Sequence, residues 1–160
     1  MSPHLDKTLG RFSTEEPRNG EGRDMARSVG SKFEEAQLLL RIHEMYSSDL
    51  MSTALAWFFN DFRADGLKDF EARYPPGSEE RKSFWRIGNF FELMGTFLER
   101  EYLPNQLMIE FCPDDVKSFW KKARPLVVQM RGEYQDPTLY AGLEHLDQEI
   151  RKWQKGLKKK

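Results

Sequence analysis

The sequence predicts an all-α bundle of five or six helices, and three observations predict it. Apolar residues recur at steps of three and four along most of the chain after residue 30. Breaker clusters of Gly, Pro, Ser and Asp separate those periodic stretches. No stretch alternates apolar and polar residues as a half-buried strand does. A length of 160 residues suits one domain. Twelve Phe, five Tyr and four Trp supply a core, and a charged fraction of 32% supplies a solvated exterior.

Residues 1–30 are polar and are punctuated by Gly10, Pro17, Gly20, Gly22 and Gly30. No period survives, so this stretch predicts a mobile leader. A single bundle domain is expected over 31–156, followed by a basic tail at 157–160. Ser31-Lys32-Phe33-Glu34 has the pattern of a capping box and predicts a helix start. Phe33, Ala36, Leu39, Leu40, His43 and Tyr46 then share one face. Asp49 is the expected cap of a second helix over about 50–62, apolar around most of its girth. A short helix is expected at 67–73.

Tyr74-Pro75-Pro76-Gly77 breaks the chain, and Ser78 caps a long helix. Phe84, Ile87, Phe91, Met94, Leu98 and Tyr102 form its inner stripe. Gly88 and Gly95 edge that stripe at a cost in helix propensity, which predicts close approach of another helix. A short apolar helix through Phe111 follows Pro104-Asn105. Cys112-Pro113-Asp114-Asp115 starts another. Val116, Phe119, Ala123, Leu126, Val127 and Met130 keep one phase across Pro125, which predicts a single kinked helix with Pro125 outside. Asp136-Pro137 is the expected start of the last helix. There Leu139, Leu143, Leu146, Ile150 and Trp153 repeat as a heptad seam that Leu157 continues.

Charge excludes some functions. The net charge of -1 does not suit a nucleic-acid coat protein. It conceals a net of -5 over residues 32–112 and +4 over 113–160. One cysteine, Cys112, excludes a disulfide framework and a Cys-based zinc site within one chain. The longest apolar run, Ala54-Leu55-Ala56-Trp57-Phe58-Phe59, is far short of a membrane span. The N-terminus lacks the apolar core of a signal peptide, so a cytoplasmic location is expected.

Candidate chemistry is sparse. His43 on an apolar face could serve as a buried general base, but a core histidine is the commoner case. His145 and Glu149 lie one turn apart, yet they flank the Leu seam and suit a solvated edge better than half a metal site. Glu92 and Glu99 are two turns apart, too far to share a proton. A basic line of Lys117, Lys121, Arg124 and Arg131 runs beside Trp120. Contact between Glu92 and Arg124 or Arg131 at the glycine-permitted crossing is the expected polar seam. Cys112 precedes a helix start but has no basic partner near it in sequence, so an inert thiol is expected. No phosphate-cradling, nucleophile-elbow or zinc-protease motif occurs, and no cofactor is expected.

From about Phe84 to Leu146 the chain resembles an uncharacterised family of small bacterial and phage helical proteins, a domain of unknown function. The resemblance lies in Ile87-Gly88-Asn89-Phe90-Phe91-Glu92-Leu93-Met94-Gly95, in Phe119-Trp120 with Arg124-Pro125-Leu126 and Arg131, and in Tyr140 to Leu146. It implies a helical fold and a prokaryotic or phage origin, without an activity, and singles out Asn89, Glu92, Trp120, Pro125 and Arg131. Many relatives of this kind carry an N-terminal membrane helix, and this sequence shows none.

The function expected is a non-catalytic protein-interaction or regulatory module, working through the Glu92/Arg131 region, the Leu139–Leu157 seam, or both. Three heptads suffice for a homodimer contact through the last helix, the alternative being that the seam packs on its own bundle. Two other classes compete. One is a nucleic-acid accessory protein using the basic C-terminal half. The other is an enzyme with a bundle site around His43 and Glu92.

Overall fold

The computed structural model describes residues 19–159, with side chains from Ser31 onward. Among the described residues it is all-helical, with seven helices: α1 Asn19–Tyr46, α2 Asp49–Asn60, α3 Leu67–Arg73, α4 Glu79–Glu99, α5 Asn105–Glu110, α6 Pro113–Glu133 and α7 Ala141–Leu157. The short α3 and α5 stand where short helices were expected, and counted with the five long ones they make seven. The chain divides into two units at Ala36. In the first unit the described backbone is helical from Asn19. Ser31 therefore lies inside α1 and does not cap it, and its hydroxyl donates to Glu35 Oε1 at 3.4 Å. The expected leader overlaps α1 at residues 19–30, and residues 1–18 lie outside the described residues.

The second unit, from Gln37 on, holds the core. The end of α1 buries Ile42 and half-buries Leu38, Leu39 and Tyr46, so the buried face is turned away from Leu40 and His43, which are exposed. The sequence carries two overlapping apolar strips here, and packing uses the one centred on Ile42. Ser48, one residue before the expected Asp49, caps α2: it is extended, and its hydroxyl accepts the Met51 N–H.

The expected long-helix stripe is the inner face of α4, with Phe84, Ile87, Phe91, Met94 and Leu98 buried. Tyr102 lies past the helix end and is exposed. α4 packs on α2 and α7, and α6 packs on α7. Aromatic rings fill the space between α2, α4 and α6. Phe58 stacks on Phe62 at 4.6 Å between centroids and meets Phe119 at the same separation, and Phe84 meets Phe70 at 5.0 Å. Across Pro125, α6 stays one helix, and Pro125 faces outward while Ala123, Leu126 and Val127 are buried. Phase retention in the sequence had predicted this arrangement.

The last helix starts later than Asp136-Pro137 suggests. Asp136 Oδ1 accepts from the backbone N–H and the hydroxyl of Thr138, a local turn that competes with helix. Tyr140 then takes a left-handed conformation at φ 57°, and α7 begins at Ala141.

Candidate functional site

The polar seam is built on two glycines. A Cβ at Gly95 would lie 2.1 Å from the backbone oxygen of Gly142 and 2.2 Å from its carbonyl carbon. A Cβ at Gly88 would lie 2.4 Å from the Tyr140 hydroxyl oxygen. The close approach expected from their spacing is therefore present, and α7 is the helix that approaches. Glu92, between the two glycines on α4, lies under the first turn of α7. Its carboxylate accepts the Gly142 N–H at 3.1 Å and the Leu143 N–H at 2.7 Å. A helix start leaves such N–H groups without intrahelical acceptors, and Tyr140 offers no side-chain cap. Glu92 thus caps α7 from a different helix, where the dipole also favours an anion. The Tyr140 hydroxyl donates to Asn89 Oδ1 at 3.1 Å. Burial first, and the Glu92 carboxylate second, push the Tyr140 phenol well above its usual range, which keeps it a donor.

Arg131 does not meet Glu92. It donates through Nε to the Leu139 carbonyl and through Nη1 to Glu144 Oε2, both at 2.9 Å, and its guanidinium lies 6.0 Å from the Trp120 ring centre. Arg124 does not meet Glu92 either: it is exposed, and among the described residues it makes no ion pair. The expected Glu92–arginine contact is corrected because the carboxylate is drawn to the free N–H groups of α7. Arg131 instead ties down the turn that precedes α7.

His43 is exposed. Its Nδ1 lies 3.4 Å from the Ser47 hydroxyl, and its ring meets the edge of Phe111. It is not the buried base that its expected face implied. Cys112 stands half-buried at the start of α6. Burial raises the thiol well above its ordinary range, and the Asp115 carboxylate adds to this. The Tyr46 hydroxyl donates to Asp115, and its phenol is likewise raised, mainly by burial. The native protein should therefore react with iodoacetamide at pH 8 far more slowly than its urea-unfolded form. Equal alkylation rates, followed by mass spectrometry, would contradict this placement of Cys112. Glu149 pairs with Lys152 at 2.6 Å. No group of three or more His, Cys, Asp or Glu among the described residues is placed to hold a metal ion.

An apolar groove lies where α1, α2 and α4 meet. Met45, Ser48, Leu50 and Met51 form one wall, and Arg86, Asn89, Phe90 and Leu93 form the other, around about 640 Å³. Leu50 is 64% exposed and Met45 is 49% exposed. Leu50 and Met51 both belong to the helix expected to be apolar around most of its girth. Of the two only Met51 is buried, because Leu50, in the first turn of α2, lies on the side facing the groove.

Residues 14–153 match the family described as Domain of unknown function (DUF4760). The chain belongs to this family. No curated protein and no solved structure matches it. The match extends beyond the Phe84–Leu146 stretch that carries the resemblance and takes in both the polar seam and the groove.

In this DUF4760 domain the heptad seam is used internally. Leu143, Leu146 and Ile150 are buried, and Leu139 and Trp153 are half-buried against the same core. Of the two alternatives for the seam, the packing on its own bundle is the one seen, since α7 turns it toward α4 and α6. Leu157, the outermost seam residue, is exposed. The basic line is also divided. Lys117 pairs with Asp114 at 2.9 Å and donates to Gln154 at 2.8 Å, and Arg131 is held as above. Lys121 and Arg124 stay on the surface, Trp120 is buried, and Glu99 is exposed at the end of α4. Lys121 and Arg124 border a second groove with Asp147 and Arg151, which pair at 2.7 Å. Among the described residues no helix is long and apolar enough to cross a membrane.

Proposed function

We propose that this DUF4760 domain is a non-catalytic interaction module that docks a partner protein on the groove formed by α1, α2 and α4. The exposure of Leu50 and Met45 beside an apolar cavity carries the reading. Large side chains left in water around a concavity are the usual mark of a recognition surface. The polar candidates support it from the other side. Glu92, Asn89 and Arg131 serve the start of α7, and His43 and Glu92 contact different partners. Nucleic acid is the weaker reading, because Lys117 and Arg131 of the basic line are tied within the chain.

A photoreactive phenylalanine analogue at position 50, and another at the exposed position 118, test the proposal in extracts of the producing cell. Position 50 should yield a discrete crosslinked partner that position 118 does not. The same products at both positions would contradict docking at the groove. Leu50→Asp should remove the partner from a pull-down while changing stability by no more than about 0.5 kcal/mol, since the site is exposed.

A further inference from the structure

Resting on the docking reading above, we infer that the groove receives an amphipathic helix of a partner protein, and that the helix inserts one carboxylate between its apolar anchors. The groove lining contains no carboxylate. Its one charge is Arg86, which among the described residues makes no salt bridge, the Glu79 carboxylate that feels its charge being paired with Lys82. Asn89 stands one helical turn further along α4, so both donors face the same way. The Asn89 carbonyl oxygen is engaged by Tyr140, and that bond fixes the amide so that its NH2 group is left to donate. A guanidinium and an amide one turn apart form a paired donor set, which a single carboxylate satisfies.

The apolar part fits a helix. One wall joins the end of α1 to the start of α2 and the other is α4, and Met45 gives the first an exposed, flexible side chain of the kind common at helix-binding grooves. The partner's acid should be confined to the inserted position. Residues 32–112 carry a net of -5, so a helix acidic over its whole surface would be repelled. A second copy docked by a two-fold contact would set one carboxylate-free, cationic lining against its equal, which leaves Arg86 unmatched.

The full-length chain, labelled with methyl-13C methionine, tests the inference with three synthetic helices of about 18 residues. Each carries leucines on one face and a Lys-containing outer face. They differ only at one position beside the central leucine, which is Glu, Gln or Lys. The Glu helix should move the methyl signals of Met45 and Met51, which line the groove, and leave those of Met94, Met108 and Met130, which do not, in place. It should bind most tightly. Arg86→Glu should weaken it by about 10-fold and strengthen the Lys helix. If all three helices move Met45 and Met51 with equal affinity, the carboxylate inference is wrong and docking stands. If none moves them, both readings fail. A dimer seen by light scattering that Leu50→Asp dissolves would give the groove to a second copy and overturn the inference.

Discussion

Gly95→Ala should destabilise the protein by about 3 kcal/mol or more, above what overpacking commonly costs. The added methyl would sit 2.1 Å from the Gly142 oxygen and 2.2 Å from its carbonyl carbon. These are backbone atoms at the start of α7, so no side chain can rotate away to make room. Helix propensity alone predicts the opposite sign, because Ala favours a helix over Gly by up to about 1 kcal/mol. The two effects are therefore separable by sign as well as by size. Urea unfolding followed by circular dichroism measures the outcome. An unchanged or raised midpoint would show that α4 and α7 do not cross at this glycine. Gly132 is a matched control: it is also helical, and a Cβ there meets nothing within 4 Å. Gly132→Ala should be neutral or mildly stabilising.

Glu92→Ala should cost about 2 kcal/mol, near the upper end for losing a helix cap. It removes the acceptor for two N–H groups, of Gly142 and Leu143, and both residues are buried. Glu92→Gln should cost about half as much, because one carbonyl acceptor remains while an NH2 group faces the second N–H. Amide hydrogen exchange localises the effect. Protection of Gly142 and Leu143 should fall in Glu92→Ala before that of the core of α6. A loss below about 0.5 kcal/mol, or exchange changes spread evenly over the chain, would mean that Glu92 does not cap α7.

Much of the architecture was legible because it rests on local periodicity. The stripe from Phe84 to Leu98 and the phase kept across Pro125 need only the helical repeat. Gly88 and Gly95 were legible for a different reason: small residues on a core-facing edge have few uses besides close packing. The partner of Glu92 was not legible. It is a backbone start some 50 residues away, and the sequence places that start too early, at Asp136-Pro137. Nothing local shows that Tyr140 adopts φ 57° and delays α7 to Ala141. His43 was misplaced because two apolar strips overlap on α1, and only the packing of Ile42 and Tyr46 decides between them. The groove is assembled from the end of α1, the start of α2 and one side of α4, so no pattern in any one segment announces it. The heptad seam shows the converse limit. Its spacing is the same whether it faces a second copy or its own bundle, and here it faces the bundle.

The central claim is a division of labour: the Glu92 seam serves the fold, and the groove beside Leu50 serves the partner. The affinity of the folded Glu92→Gln protein for the Glu-bearing helix, read from the Met45 and Met51 methyl signals, tests it most directly. The account predicts an affinity within about twofold of wild type despite the lower stability, with Leu50→Asp abolishing binding in the same titration. Lost binding in a folded Glu92→Gln protein, or retained binding in Leu50→Asp, would contradict it.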